Sequence, residues 1–582
     1  MTMTPGQMTP GQLTPDAGPP GRVARRPGGR VLPGVAAVLG VVLLFVAYLQ
    51  VSRTYPENSD ESNDLLMAWD MLHGNVLLHG WSLSDVSFLT TELPQYVMLE
   101  RFFGLHTDIA HIAAAMTYTL VVVLAVLLAR GAKGADEAKG ADGKVPAREA
   151  WARMLLTAGL VFAPQLGVGV FVLLLSLGHI GTAVPLMLTW LVMDRAGPAG
   201  RLGRWVPVVV GVLLTWVLVA DPLVLVVGVF PLVAVCALRV GRGLIAARRQ
   251  AGPDNPDSAA DRGWLTGGLA AQWYEVSLAV AAILAEGLAW LAGRLLRASG
   301  AFTLHPVPYH LAPLRTWPEH ARVTGEGLLA LFGARPQGPA VELAFALVHL
   351  AGVALVLWAI CRVARHFASW PDMVSQILLV AMVVNVVLYV PSTLADATDL
   401  NAREFAVVLP FGAVLAGRTL AASLLGREAG ARRRLRPVRL AGLVVLAGYA
   451  ASLGYAAAQP SVPAANQRLA AFLAAHHLTS GIGGYWESSV VTVGSDGAVT
   501  IRAVAPGTLQ PDLWESKASW YDPGSHQATF LVTDSASGFF NHWQPGAAAL
   551  AAFGRPARTY HDGPYTVYVW DKNLLVQVDR LG

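Results

Sequence analysis

Residues 31–74 read VLPGVAAVLGVVLLFVAYLQVSRTYPENSDESNDLLMAWDMLHG. The first half, Val31 to Val51, is a continuous apolar run preceded by Arg22, Arg25, Arg26 and Arg30. A helix of about 20 such residues is long enough to cross the hydrocarbon of a bilayer. The basic-then-apolar order resembles a secretory signal, but no small-x-small cleavage site follows, and the run is long enough to span. It reads as a first membrane helix held on the cytoplasmic side by its arginines. The second half is its chemical opposite: Glu57, Asp60, Glu61, Asp64 and Asp70 fall within 14 residues. These acids open the first outer loop, residues 52–106.

Working outward, the apolar signal recurs at roughly 107–129, 154–174, 176–193, 205–220, 221–238, 275–296, 341–361, 373–391, 404–424 and 438–457. The fold class is therefore a polytopic α-helical membrane protein with about eleven transmembrane helices. Of 582 residues, 54% are hydrophobic and 14% charged, with a mean hydropathy of +0.49; soluble domains carry about 25% charged residues. The net charge of +4 is spread over short loops, whereas nucleic acid as a partner would require a clustered basic face. Cys236 and Cys361 sit in or at the end of apolar runs and provide neither a disulfide framework nor a metal spacing. No Walker A loop, Rossmann glycine pattern or H-E-x-x-H zinc motif occurs.

With the N-terminus inside, loops such as RVGRGLIAARRQ and REAGARRRLRPVR fall on the cytoplasmic side, and they are basic, as membrane topology demands. An odd number of spans then puts the C-terminus outside. The expected organisation is a disordered cytoplasmic tail (residues 1–30), a transmembrane domain (31–457) with large outer loops at 52–106 and 298–340, and an extracytoplasmic α+β domain (458–582), all in the cytoplasmic (plasma) membrane. Within 298–340, Val323–Gly333 is apolar but too short to cross and reads as an interfacial helix. In the last domain, helices are expected at Ala464–His477 and Gly546–Phe553. Strands are expected at Ser489–Val493, Val499–Val504, Ala528–Val532 and Tyr565–Trp570.

The acids of the first outer loop carry the chemistry. A helix starting at Ser59 as cap places Asp60 and Glu61 in its first turn, with Asp60 and Asp64 on one face. One reading is that acids simply favour a helix N-terminus at a wet membrane surface. The other is that crowded like charges raise a pKa and supply a general base beside the bilayer.

Asp60-Glu61, then Ala68, Met71-Leu72 and Gly74 resemble the first outer loop of the GT-C membrane glycosyltransferases, with protein O-mannosyltransferases and the lipid A aminoarabinose transferase closest in pattern. Two positions depart from it: Asp64 stands where the family usually has an aromatic, and Asn63 where it often has Arg. The resemblance covers some 15 residues. It implies inverting transfer of a sugar from a polyprenyl-phosphate donor to an acceptor hydroxyl, with membrane lipids as surroundings and the acceptor open.

By the resemblance, Asp60 is the base and Glu61 the neighbour that orients or replaces it. Arg403, in NAREFAVVLP at an outer helix boundary, is the candidate for the donor phosphate; the same arginine also reads as a helix-end anchor. Asp64, Asp221 and His305 are further substrate-contact candidates. Asp221 equally reads as a helix cap before Pro222, and His179 and His305 as lone structural histidines. Glu286, in mid-helix, must face protein or water. No cofactor is expected, and a divalent cation is left open by the resemblance. The competing classes are a transporter or flippase, and a non-catalytic envelope protein.

Overall fold

The computed structural model describes residues 31–131, 146–175, 178–198, 201–250, 260–305, 307, 309–395, 399–425, 435–535 and 546–581. The expected tail, residues 1–30, lies outside them. Of the described residues, those through Leu44 belong to one unit and those from Phe45 onward to another. The first unit is described as apolar helix, the start of α1 (Val31–Ser52).

In the second unit, α2 (Ser59–Leu72) and α3 (Leu93–Phe103) fill the acidic loop. The bundle continues through α4 (Asp108–Arg130), α5 (Ala147–Val161), α6 (Val168–Leu174), α7 (Ala183–Ala196), α8 (Val206–Ala220), α9 (Phe230–Gln250), α10 (Ala260–Ala271) and α11 (Trp273–Ala298). It closes with α12 (Trp317–Leu331), α13 (Ala340–Arg365), α14 (Met373–Tyr389), α15 (Val408–Leu424) and α16 (Leu435–Ala457). Among the described residues, seven helical stretches are long and apolar enough to cross a membrane: Gly34–Ser52, Asp108–Arg130, Leu202–Ala220, Leu225–Arg249, Trp273–Ala298, Ala340–Arg365 and Asn401–Leu424. Met373–Tyr389 and Gly442–Ala457 are shorter apolar helices.

Hydropathy misplaces the middle of the bundle. The run 154–174 is not one helix, because α5 ends at Val161, Pro164 interrupts it, and Gly167 (φ 77°) turns the chain into the short α6. Within the run 176–193, His179–Thr182 form a turn, and α7 starts only at Ala183. After Asp221-Pro222 comes a π-helical turn, Leu225–Val229, before α9. Apolarity alone does not distinguish a buried turn from a continuous helix.

Helix α15 is buried along nearly its whole length. Gly417 lets α5 approach it closely, since a Cβ there would strike Thr157 and the Arg153 carbonyl. The expected interfacial helix at Val323–Gly333 is the C-terminal part of α12, which starts earlier, at Trp317-Pro318. Proline is well suited to the first helical turn.

Two short strands of the loops, β1 (Trp81–Leu83) and β2 (Thr303–Leu304), pair in parallel. The C-terminal domain carries β3 (Ser480–Gly483), β4 (Thr500–Ala503), β5 (Ser516–Lys517), β6 (Phe530–Asp534), β7 (Arg558–Asp562) and β8 (Tyr565–Val569). Its main sheet has the order β4-β3-β6-β8-β7, with β4, β3 and β6 parallel and β8 and β7 antiparallel. Both faces are covered: Leu531 packs with Trp570, Phe553 and Leu575 on one side, while Phe530 and Val532 pack with Val490 and Ile501 on the other. That alternation is the period-two signature of a strand. Helices α17 (Gln467–Ala475), α18 (Tyr485–Gly494), α19 (Gly546–Phe553) and α20 (Leu575–Leu581) complete the domain. The expected strand Ser489–Val493 is corrected: these residues lie in α18 and are all buried. β5 leaves the domain and pairs antiparallel with β1, fastening the domain to the loop that carries α2.

Candidate active site

Asn58, rather than Ser59, caps α2. Its side-chain oxygen accepts from the Asp60 amide at 2.8 Å, and its own amide donates to Glu61 Oε2 at 2.8 Å. This reciprocal capping box fixes the first turn and commits the Glu61 carboxylate to the helix end. Glu61 is fully buried, and burial, then the neighbouring Asp60, hold its carboxyl well above the usual range. Asp60 is turned the other way and keeps 22% of its side chain exposed. One turn on, Asp64 is buried; burial, then Glu515 and Glu92, raise its carboxyl as well.

Three regions converge on Asp60. Its Oδ1 accepts from the Tyr485 hydroxyl of α18 at 2.7 Å, and its Oδ2 lies 3.6 Å from Arg403 Nη1. Arg403 sits in a 3-10 segment, Asp399–Phe405, immediately before α15. Its Nε is 3.8 Å from Glu404 Oε1. Both separations are too long for hydrogen bonds, so the guanidinium is held electrostatically with its donors uncommitted to these acids. Glu404 continues the chain: its Oε2 is 3.0 Å from His179 Nε2, and His179 Nδ1 is 2.7 Å from Asp221 Oδ2. A carboxylate only accepts, so an imidazole between two of them is a cation donating from both nitrogens. Thr182 also donates to Asp221 Oδ2, while Asp221 Oδ1 accepts from the Leu223 amide at 2.9 Å.

Asp60, Arg403 and Asp221, singled out separately in the sequence, thus belong to one polar array with Glu404 and His179 between them. Asp221 caps the turn and binds His179 at once, and His179 is not the isolated histidine its sequence context suggests. His305 stands apart: its Nδ1 pairs with Ser82 Oγ at 2.6 Å and its ring lies 6.2 Å from Trp514. Glu286 lines a cleft of about 210 Å³ with Asp85, Trp290 and Arg297. Glu404, Tyr485 and Glu515 were missed. Glu404 had a signal, adjacency to Arg403 on the same segment; Tyr485, 425 positions from Asp60, had none. Among the described residues, no group of three or more His, Cys, Asp or Glu side chains converges to hold a metal ion.

No protein-family model matches the chain, and no curated protein sequence does. Solved structures do match, and what they share with this chain is the fold, here a largely helical apolar domain followed by a strand-containing domain at the C-terminal end. One of them is the crystal structure of ArnT from Cupriavidus metallidurans bound to undecaprenyl phosphate. It superposes with a TM-score of 0.50 at 13% sequence identity, covering 92% of this chain and 98% of that one.

Proposed function

We propose that the chain is a GT-C-type glycosyltransferase that moves a sugar from a polyprenyl-phosphate donor to an acceptor hydroxyl with inversion. The observation that carries the reading is the pairing of Asp60 with a loosely held Arg403 on this fold. The fold is shared with a protein crystallised with undecaprenyl phosphate, which supports a lipid-phosphate donor. The N-terminus is cytoplasmic and the site faces outward, in keeping with the basic loops on the opposite side.

In the transfer, the acceptor oxygen attacks the anomeric carbon while Asp60 Oδ2 takes its proton. The bond from that carbon to the phosphate oxygen breaks, and the polyprenyl phosphate leaves with the electron pair. Arg403 meets the negative charge growing on the phosphate, which a planar guanidinium binds through two parallel donors. Glu404 and the His179–Asp221 pair hold the Arg403 segment in place. Asp64 is buried one turn along α2 from Asp60, and His305, just past β2, is bonded to Ser82, so neither is given a step in the transfer.

The test is a deletion strain complemented with wild type, Asp60→Asn or Glu61→Gln, its envelope glycans profiled by mass spectrometry and membrane insertion monitored alongside. A glycan that vanishes on deletion and is restored by wild type but not by Asp60→Asn supports the reading and names the product. Full restoration by both variants returns the acids to a capped, solvated loop.

A further inference from the structure

The C-terminal domain enters the acid cluster through one side chain. β3 ends at Gly483, and Tyr485 begins α18 directly after the Gly484 cap. The Tyr485 hydroxyl lies 2.7 Å from Asp60 Oδ1 and 2.7 Å from Glu515 Oε2. Asn63 Nδ2 is 3.0 Å from the same hydroxyl and 3.4 Å from Glu515 Oε2, and Ser489 of α18 donates to Asn63 Oδ1. The backbone is tied at the same place, with Ser59 Oγ donating to the Tyr485 carbonyl at 2.6 Å.

We propose that Tyr485 is the positioning residue for the base: its hydroxyl pins Asp60 through Oδ1 and leaves Oδ2, the oxygen beside Arg403, to take the acceptor's proton. The inference rests on the transferase reading and deepens it, because it makes the C-terminal domain part of the catalytic apparatus rather than an appended module.

The proton count supports this direction. A phenol has one proton to donate, and two ionised carboxylates at 2.7 Å would compete for it. Burial, then Asp60, pushes Glu515 up to about 8. At neutral pH, Glu515 therefore keeps its own proton and donates it to the Tyr485 oxygen, and Tyr485 donates onward to Asp60. The groups facing Glu515 are Asp60, Asp64 and Asn63 from α2, Ser84 just after β1, Tyr485 from α18 and Arg403 from the segment before α15. When Glu515 ionises, it draws the Tyr485 proton to itself, and Asp60 Oδ1 loses its donor beside a new negative charge. Turnover then falls on the alkaline side, from about pH 8.

The same contacts also dock the domain, so the experiment must separate docking from positioning. Lys517 of β5 makes an independent docking contact, its Nζ 2.8 Å from Asp70 Oδ2 at the far end of α2. Full-length wild type, Tyr485→Phe, Glu515→Gln and Lys517→Ala are purified. Each is given a lipid extract of the source cells containing polyprenyl-phosphate sugars labelled in the sugar, and label transfer is followed from pH 6 to 10. Tyr485→Phe is expected to lower kcat about ten- to a hundredfold, the worth of one hydrogen bond to a charged group, with KM unchanged. Both Tyr485→Phe and Glu515→Gln are expected to lose the alkaline limb near pH 8, and Lys517→Ala to keep wild-type kcat within about twofold. Wild-type kcat and pH profile in Tyr485→Phe, or an equal loss in Lys517→Ala, overturns the positioning role while leaving the transferase reading intact. A wild type that transfers no label overturns both.

Discussion

The two ends of α15 hold two charge clusters built to opposite plans. Toward its C-terminal end, Arg418 keeps only 3% of its side chain exposed and commits its guanidinium to four hydrogen bonds. It makes a two-pronged pair with Asp372 at 2.7 and 2.9 Å, bonds Asp194 at 2.7 Å, and donates to the Leu128 carbonyl at 2.7 Å. The cluster ties the C-terminal ends of α4 and α7 to the N-terminal cap of α14. Some 20 Å away along the helix, Arg403 faces Asp60 and Glu404 without a hydrogen bond to either. Around it stand Asp60, Asp85, Glu404 and Glu515, with His179 behind Glu404 as the other cation. The lesson is that Arg418 spends its donors on protein, whereas Arg403, surrounded by charge, keeps its donors uncommitted to its acids, which is what the proposed phosphate-binding role requires.

The largest expected effect tests that contrast directly. Arg418→Ala strands two carboxylates in the bundle and should cost about 3–5 kcal/mol of stability, seen as a large fall in the thermal midpoint in detergent. Arg403→Ala should leave the midpoint near wild type and remove label transfer from a polyprenyl-phosphate sugar. Equal destabilisation by the two substitutions would break the comparison.

A smaller effect sharpens it on the acidic side. Asn58→Ala removes the cap that aims Asp60 and should cost about 1 kcal/mol, measured by denaturation in detergent. Turnover should fall more than that loss of stability accounts for. A stability loss with turnover unchanged would mean the capping box does not orient the base.

Much of this was legible in sequence. The membrane class follows from long apolar runs, which lipid requires. The acidic loop stands out because five acids in 14 residues beside such a run are costly unless used. Arg403 was legible as an arginine at a helix boundary. What was lost is non-local. His179 reads as solitary because its partners, Asp221 and Glu404, come from distant turns. Ser489–Val493 reads as strand because it is β-branched, yet it lies in a helix buried between the sheet and α2, where packing overrides propensity. The departures at Asn63 and Asp64 have no explanation within the loop itself. Asn63 finds one only when Tyr485, Ser489 and Glu515 are brought against it by the β1–β5 pairing.

The most direct test of the central claim uses purified wild type and Asp60→Asn with a labelled undecaprenyl-phosphate sugar, following donor binding and release of undecaprenyl phosphate. The account predicts comparable donor binding by both proteins and a turnover about 10²–10⁴-fold lower in Asp60→Asn, the usual worth of a general base. Turnover by Asp60→Asn equal to wild type would contradict it. So would a wild type that neither binds nor consumes such a donor while a known transferase handled in parallel does.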